Sequence, residues 1–444
     1  MKLSGWGRYP VLDCRLARVG DPMALAPWLT APGSLIARGA GRAYGDAALN
    51  PELTLDLQGL DRLRAFDPLT GRLTAEAGVH LETLLALFVP RGWFPPVVPG
   101  TKFVTLGGMV AADVHGKNHH RAGSFGDYVA ALELALPDGR VVSCSRQDNA
   151  ALFHATLGGQ GLTGVIRTVT LDLMPVESAW LHAETQPAPN LDAVLAGLDA
   201  AAAWPYSVAW IDALASGRRR GRGLVYRGRH LRREELAGAA ARRPLVPHRA
   251  GGPAVPDLVP EAAMARPLLR GFNALTYARA AARGGPAAQI HYDRFFFPLD
   301  RLRCWNRLYG RRGFVQYQCV LPPAASRAGL AALLDRVAAT GQGAFLAVLK
   351  RLGPGRPARP LSFPMAGDTL ALDLPLRSGT LALLAELDAI TADHGGRVYL
   401  AKDACTTPAR LAQGYPNLAA FRQLRREIGA AGRIESALSR RLEL

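Results

Sequence analysis

The stretch Arg38-Gly39-Ala40-Gly41-Arg42-Ala43-Tyr44-Gly45-Asp46 decides the fold class of this chain. It follows a short apolar strand, predicted over residues 35–38, and its glycines let successive backbone N–H groups converge on one phosphate oxygen. The stretch therefore predicts an anion-binding nest. For this loop alone, a tight surface turn stays open as the alternative.

A second glycine loop strengthens the anion interpretation. Pro99-Gly100-Thr101 leads into Thr105-Leu106-Gly107-Gly108-Met109-Val110-Ala111-Ala112-Asp113-Val114-His115-Gly116, with the Gly-Gly pair where a short helix would begin. Helix N-termini favour diphosphates through free N–H groups and the helix dipole. Two loops of this kind predict a bound dinucleotide.

A third stretch, Gly159-Gln160-Gly161-Leu162-Thr163-Gly164, matches the GxGxxG pattern of nicotinamide-binding proteins. That fingerprint requires a strand before it and a helix after it. Here a predicted helix over 149–157 precedes the glycines and a predicted strand over 165–173 follows them. We therefore reject a nicotinamide site, although these glycines still permit close backbone approach to a flavin.

The polar stretch His115-Gly116-Lys117-Asn118-His119-His120 has three interpretations. It could hold a metal through His115 and His119, form a solvated loop, or belong to a cofactor or substrate site. Gly116 disfavours a continuous helix that would hold both imidazoles on one face, and no carboxylate pattern completes a metal site. The sequence favours the cofactor or substrate site, and we expect no metal.

Elsewhere the chain mixes strands and helices without regular βαβ units, which predicts an α+β fold. The sequence pattern changes near residue 179. A Pro/Gly-rich segment that follows, up to about residue 286, is a candidate loop or lid. Strands are further predicted over 72–77, 132–136 paired with 140–143, 295–298, 314–321, 345–350 and 369–375. Helices are predicted over 81–88, 191–203, 330–340 and 380–394.

Length and composition indicate a globular protein of two domains, one of them built from separated stretches of sequence. The chain has 444 residues, 49% of them apolar and 20% charged. It lacks a run of about 18 uncharged apolar residues and an export signal, so we expect a soluble, non-exported protein. Its five cysteines include no CxxC pair, which is typical of reduced thiols in a cytosol.

The formal net charge of +17 indicates an acidic partner, such as nucleic acid, an anionic membrane or a phosphate-bearing substrate. A nucleic-acid-binding protein is disfavoured, because the chain has no zinc-finger spacing and no RNA-recognition motif. The basic stretch from Arg218 to Arg243 predicts a solvated face, with membrane contact as the alternative. Only five of the 53 basic residues are lysines: Lys2, Lys102, Lys117, Lys350 and Lys402. We expect no special role for Lys2 and Lys102.

The glycine loops at Arg38 to Asp46 and at Gly100-Thr101 with Thr105 to His120 resemble the flavin oxidases of the vanillyl-alcohol oxidase type, and specifically the decaprenylphosphoryl-β-D-ribose 2'-oxidase family. The resemblance spans almost the whole chain. It also rests on Ala122-Gly123-Ser124-Phe125-Gly126, Gly158 to Ile166, Phe295-Phe296-Phe297-Pro298-Leu299-Asp300, Trp305-Asn306-Arg307-Leu308-Tyr309-Gly310, Gln316-Tyr317-Gln318 and Tyr399-Leu400-Ala401-Lys402-Asp403.

The resemblance implies a two-domain flavin oxidase. Residues 1–178 and 397–444 would form an FAD domain of two α+β subdomains, and residues 179–396 a substrate domain with an antiparallel sheet and helices. Relatives with covalent flavin use a histidine in the first glycine loop, where this chain has Tyr44, so FAD is expected to be non-covalent. Mycobacterial members carry a cysteine in a pocket strand where this chain reads Leu370-Ala371-Leu372-Asp373, so thiol chemistry is not expected there.

The resemblance also implies site residues. His115 and Lys402 would be catalytic, with Lys402 either taking the hydroxyl proton or stabilising the reduced flavin. The substrate would contact Lys117, Gln316, Gln318, Lys350 and Lys402. FAD would contact Ala37, Arg38, Gly39, Ala40, Gly41, Arg42, Ala43, Tyr44, Gly45, Asp46, Gly100, Thr105, Leu106, Gly107, Gly108, Ala112, Asp113, Val114, His115, Ile166 and Tyr399.

The implied activity is FAD-dependent oxidation of the 2'-hydroxyl of a polyprenylphosphoryl-β-D-ribose, the first half of an epimerisation to the arabinose donor. A separate NAD(P)H-dependent keto-sugar reductase would complete it. The expected location is the cytoplasm, with peripheral contact at the inner face of the membrane. A soluble alditol or aldonolactone oxidase acting on a free sugar or polyol is the alternative, because a shared flavin domain alone does not fix the substrate.

Overall fold

A computed structural model describes residues 1–248, 251–260, 264–285, 287–343 and 346–444. The strands in these residues are β1 (Lys2–Ser4), β2 (Val11–Asp13), β3 (Leu16–Arg18), β4 (Ile36–Arg38), β5 (Thr54–Asp56), β6 (Leu63–Asp67), β7 (Arg72–Glu76), β8 (Trp93–Phe94), β9 (Val129–Ala135), β10 (Val141–Ser145), β11 (Val165–Asp172), β12 (Met174–Pro175), β13 (Trp180–Ala188), β14 (Tyr206–Ile211), β15 (Gly223–His230), β16 (Ala288–His291), β17 (Phe314–Leu321), β18 (Ala347–Leu352), β19 (Gly367–Pro375) and β20 (Arg397–Val398). The α-helices are α1 (Ala26–Thr30), α2 (Leu81–Phe88), α3 (Leu106–Ala111), α4 (His119–Ala122), α5 (Ala150–Thr156), α6 (Leu191–Ala200), α7 (Gly238–Arg242), α8 (Arg266–Ala282), α9 (Tyr292–Phe296), α10 (Pro323–Thr340), α11 (Thr380–Asp393), α12 (Pro408–Gly414), α13 (Leu418–Glu427) and α14 (Ala437–Leu442).

The N-terminal half is organised by two sheets. A five-stranded antiparallel sheet runs in the order β10-β9-β11-β7-β6, and a three-stranded parallel sheet runs β3-β5-β4. Helix α2 shows why the local elements form, since Leu81, Leu84, Leu85 and Phe88 recur at helical spacing and are all buried. The C-terminal helices α12 to α14 share a hydrophobic core with the parallel sheet.

An eight-stranded antiparallel sheet, ordered β16-β13-β15-β14-β18-β19-β17-β20, collects the strands from residue 180 onward. Every residue of β17 is buried, because both faces of this strand are covered. Side chains alternate between the faces of a strand. Val315, Tyr317 and Cys319 therefore pack in a core with α6, α10 and α11, whereas Gln316 and Gln318 point to the other face.

The structure confirms the α+β fold and several predicted elements, among them the helix over 81–88 and the strand over 314–321. The GxGxxG stretch lies after α5 and before β11, as predicted. The strand predicted over 345–350 is β18, although residue 345 lies outside the described residues. Within the described residues, no helix combines the length and the apolar character needed to cross a bilayer.

Two predictions about local structure are wrong. The strand predicted over 295–298 is instead the end of α9, where Tyr292, Phe295 and Phe296 are buried at helical spacing and the His291 side chain accepts a hydrogen bond from the backbone N–H of Asp293. The Pro/Gly-rich segment predicted as a candidate loop or lid contains the 17-residue helix α8, so the loop interpretation is wrong for that part. Its proline stands in the first turn, where a missing N–H costs nothing.

Candidate active site

The site is a cavity of about 750 Å³ between the glycine loops and the face of the large sheet opposite α6, α10 and α11. One end is lined by the loop after β4, by α3 and by the stretch between α5 and β11. The other end runs along β13, β14, β15 and β18 under α8. The cavity therefore joins the predicted dinucleotide loops to the face that carries Gln316 and Gln318.

The two main glycine loops meet at one point. A Cβ atom on Gly39 would lie 2.1 Å from Oγ1 of Thr105, so only glycine fits there. Thr105 in turn caps α3, its hydroxyl accepting a hydrogen bond of 3.3 Å from the N–H of Gly108. Among the described residues, no acceptor bonds to the backbone amides of Ala40 and Gly41. A chain of free amides beside a capped helix start fits a diphosphate.

Arg42 supplies a second observation that fits an anionic group. Its guanidinium lies 3.9 Å from the centre of the Trp6 ring and lines the cavity. Its Nε is buried and has no hydrogen-bond partner in the part of the chain that the structure describes. Burial lowers the pKa of Arg42, which marks an incompletely compensated charge. The loops and this cation fit a dinucleotide such as FAD.

Most of the predicted site residues line the cavity. They are Ala37, Arg38, Gly39, Ala40, Gly41, Arg42, Ala43, Tyr44, Gly100, Thr105, Gly107, Gly108, Ala112, Val114, His115, Lys117, Ile166, Gln316, Gln318, Lys350, Tyr399 and Lys402.

Four predicted cofactor residues lie outside the lining. Gly45 is packed closely against Asp403: a Cβ atom on Gly45 would lie 1.9 Å from the carbonyl oxygen of Asp403. Asp46 is paired with Arg441. Leu106 is a core residue, and Asp113 accepts hydrogen bonds from Arg359 and Ser362. These four residues hold the loops in place from behind.

The segment from Tyr399 to Asp403 brings Lys402 into the site. The backbone N–H of Tyr44 donates a 3.0 Å hydrogen bond to the carbonyl of Ala401, and Arg441 bridges Asp46 to Asp403. The ammonium of Lys402 lies 3.8 Å from the centre of the Tyr44 ring. Removal from bulk water lowers the pKa of Lys402, so a neutral amine is within reach near neutral pH.

His115 lies in the middle of the cavity and is held on both sides. Nζ of Lys350 lies 3.1 Å from its Nδ1, and Nε2 of Gln318 lies 3.1 Å from its Nε2. Burial and the charge of Lys350 lower the pKa of His115 far below its ordinary value, so the imidazole is neutral. Burial also lowers the pKa of Lys350 to about 7. Within this cluster, Lys350 is therefore the group that can gain or lose a proton near physiological pH.

Lys117 is the third lysine of the cavity. Its ammonium donates a 3.0 Å hydrogen bond to the carbonyl of Phe296, and burial lowers its pKa to about 8. Lys102, for which no role was expected, is buried and forms an ion pair with Asp293, while its backbone N–H donates to Asp300. That expectation was wrong, because Lys102 fastens the second glycine loop to the segment around α9.

Sequence analysis did not identify Asp373 as a site residue. Asp373 lies on β19, a strand that is buried on both of its faces. It accepts hydrogen bonds from Gln316 Nε2 and, at 3.3 Å, from the Tyr309 hydroxyl. Burial raises the pKa of this carboxyl, and Lys402 is its charged neighbour. The alternation of β19 could have shown that Asp373 faces the same side as Ala371. Only the pairing of β19 with β17 brings it beside Gln316.

The end of the cavity away from the glycine loops is mostly apolar. It is lined by Val208 and Trp210 of β14, Tyr226 of β15, Ile290 of β16 and Val348 of β18. Phe272 and Thr276 of α8 form the other wall. This end can accept a hydrocarbon chain, whereas the end near His115 offers amines and amides.

Comparisons with known proteins agree with this geometry. Residues 28–145 match the family model described as "FAD binding domain". Decaprenylphosphoryl-beta-D-ribose oxidase of Mycolicibacterium smegmatis is 34% identical over 452 aligned residues, covering 100% of this chain and 97% of the relative. A protein of Streptomyces coelicolor described as "Uncharacterized protein in mprA 5'region" is 41% identical over 82% of this chain and 100% of its own. The D-lactate dehydrogenase of Anaerostipes hadrus is 26% identical over 30% of each chain.

Proposed function

This chain belongs to the decaprenylphosphoryl-β-D-ribose oxidase family, and from that premise we propose that it oxidises the 2'-hydroxyl of a polyprenylphosphoryl-β-D-ribose to the 2'-keto sugar. It is an FAD-dependent oxidoreductase acting on a CH–OH group. One observation carries the proposal for the site. Three of the five lysines, Lys117, Lys350 and Lys402, meet the glycine loops in a single cavity.

The glycine loops would hold the cofactor. Three features support a diphosphate between the two loops: the amides of Ala40 and Gly41, which have no acceptor among the described residues, the capped start of α3, and the cation of Arg42. FAD, when bound, supplies the hydride acceptor that no side chain can provide. Tyr44 occupies the place where covalently flavinylated relatives carry histidine, which supports non-covalent binding.

The chain's own residues would handle the proton of the oxidised hydroxyl. Lys402 enters the cavity with a lowered pKa, and a neutral amine there can accept that proton. Its charged form would instead stabilise negative charge on the reduced ring. The carboxyl of Asp373 is a charged neighbour of this lysine and would stabilise its protonated form. His115, neutral and held between Lys350 and Gln318, would orient the sugar.

The rest of the cavity would bind the phosphate and the lipid. Lys117 and Lys350 provide cations, and Gln316 and Gln318 provide amide groups along the same face of β17. The apolar end under α8 would take the first part of the prenyl chain. A free sugar or polyol would leave two amines and the apolar end without partners, so the alditol or aldonolactone alternative is not favoured.

The product determines which partner is needed. Oxidation of C2' gives a ketone, and delivery of hydride to its opposite face would give the arabinose configuration. We propose that a separate NAD(P)H-dependent keto-sugar reductase consumes this product. A lipid-phosphate substrate further supports a cytoplasmic location with peripheral contact at the inner face of the membrane.

The test is the spectrum of the purified protein followed by anaerobic titration. Yellow protein that bleaches with a short-chain polyprenylphosphoryl ribose, but not with ribose, ribose 5-phosphate or a polyol, is the expected result. Colourless protein that ignores added FAD would refute the cofactor site. Bleaching by a free polyol at comparable concentration would replace the lipid-phosphate substrate with the alternative.

A further inference from the structure

We infer that α8 (Arg266–Ala282) is the surface by which this enzyme docks on an anionic lipid bilayer, with the lipid end of the cavity opening beneath it. The inference rests on the proposed function, because it assigns the place where a membrane-bound substrate would reach the site. It differs from the alternative considered for the basic stretch from Arg218 to Arg243, which was predicted to be a solvated face and could otherwise have made membrane contact.

Helix α8 has an exposed apolar stripe. Leu268, Phe272 and Leu275 follow one another at helical spacing, and 60%, 52% and 49% of their respective surfaces are exposed. Along the whole helix only Leu269 and Asn273 are buried. A helix in contact with water throughout its length normally carries polar residues on its outer side. An outer side of leucine and phenylalanine is typical of a helix that lies in the surface of a membrane.

The charge on this segment complements an anionic bilayer. Arg266, Arg270, Arg279 and Arg283 lie on or directly after α8, and the sequence from residue 264 to residue 290 has no aspartate or glutamate. Cationic residues beside an apolar stripe attract anionic headgroups while the apolar side chains enter the acyl boundary. Such charge complementarity favours a lipid surface over an uncharged protein surface.

The basic stretch from Arg218 to Arg243 is less suited to this contact. Five of its ten arginines form ion pairs with carboxylates within the protein. The ion pairs are Arg220 with Asp335, Arg222 with Asp212, Arg227 with Glu184, Arg229 with Glu235 and Arg232 with Glu234. A compensated cation has little left to attract a lipid headgroup.

The stripe is also continuous with the cavity. Phe272 is exposed on the outside of α8 and, with Thr276, lines the lipid end of the cavity. Asn273 anchors the inner side of the helix by donating a 2.8 Å hydrogen bond to Asp212. A lipid chain could therefore pass from the bilayer along α8 into the site without crossing water.

The experiment measures co-sedimentation of the full-length holoprotein with vesicles of phosphatidylcholine mixed equally with phosphatidylglycerol. Leu268→Gln combined with Leu275→Gln should weaken binding by about tenfold or more, because two side chains that would enter the bilayer become polar. The matched control, Leu69→Gln combined with Leu381→Gln, changes two exposed leucines elsewhere and should bind as the wild type does.

A second pair of variants tests the charge. Arg279→Gln combined with Arg283→Gln should weaken binding at low salt, because these two arginines follow the same side of α8 as the apolar stripe. Arg218→Gln combined with Arg219→Gln should not. The inference is overturned if the wild type ignores these vesicles, if the Arg218 and Arg219 variant alone loses binding, or if the leucine variant binds normally. Loss of a wild-type dimer in the leucine variant, without any vesicle binding, would instead assign the stripe to a second copy of the chain.

Flavin bleaching by detergent-dispersed, short-chain polyprenylphosphoryl ribose tests the proposed oxidation separately from the docking surface. Normal bleaching by wild-type protein that does not bind vesicles overturns the docking surface alone. Vesicle binding through α8 by protein that no ribosyl lipid bleaches overturns the proposed function and leaves the docking surface supported.

Discussion

Replacement of Lys402 by methionine is the most direct test of the chemistry. Methionine keeps the length and the apolar stem of the side chain but removes the amine that lies 3.8 Å from the Tyr44 ring centre. The protein should remain folded and yellow, because the cofactor loops are untouched. The rate of anaerobic flavin reduction should fall by about 10²- to 10⁴-fold, the usual contribution of a positioned acid or base. That fall corresponds to about 3 to 5 kcal/mol of barrier.

The assay is stopped-flow bleaching with a polyprenylphosphoryl ribose over a range of pH. Lys2→Met is the matched control, since Lys2 lies exposed on β1. If Lys402 is the base, the wild-type rate rises as pH passes its lowered pKa, because the neutral amine is the reactive form. If the ammonium stabilises the reduced ring, the rate falls over the same range. A Lys402→Met rate within about threefold of the wild type would exclude Lys402 from both roles.

Three further substitutions test the cofactor loop, the environment of Lys402 and the core of the C-terminal helices. Gly39→Ala should weaken FAD binding by about tenfold or more in a fluorescence titration of apoprotein. The added Cβ would collide with the hydroxyl of Thr105, which caps α3. Asp373→Asn removes the negative neighbour of Lys402, so the pKa of that lysine falls and the pH–rate profile should move to lower pH. Arg425→Met leaves the Glu435 carboxylate without its buried partner and should lower the free energy of unfolding by about 3 to 5 kcal/mol in urea titrations.

The chain offers matched controls for two of these changes. A Cβ on Gly20 meets nothing within 4 Å, so Gly20→Ala should leave FAD binding unchanged. Arg426 is exposed beside the buried Arg425, and Arg426→Met should cost little stability. Unaltered FAD affinity in Gly39→Ala, a profile of Asp373→Asn that stays fixed or moves to higher pH, or equal stability losses at 425 and 426 would each contradict the reasoning.

The sequence was most informative where the backbone itself is constrained. Gly39 and Gly41 are needed because the loop has no room for side chains or takes a left-handed turn, and such requirements leave a visible spacing of glycines. The strand over 314–321 was likewise predictable, because a run of apolar residues interrupted by two glutamines is typical of a strand buried on both faces.

The sequence was least informative where contacts join distant segments. Asp373 acquires its place through the pairing of β19 with β17, and Lys102 through an ion pair with Asp293, 191 positions away. Neither neighbour can be read from local periodicity. The three phenylalanines at 295–297 were misread as a strand because bulky aromatic residues favour sheets, whereas burial of Tyr292, Phe295 and Phe296 on one side selected a helix.

The bond between Tyr44 and Ala401 has a consequence for biosynthesis. The first glycine loop lies at residues 38–46, yet its partner Ala401 and the neighbouring Lys402 come from beyond residue 400. A nascent polypeptide therefore cannot close the cofactor cavity until residues 401 and 402 have left the ribosome. Completion of the cofactor site must therefore follow synthesis of that segment, and until then the glycine loops are held by other contacts.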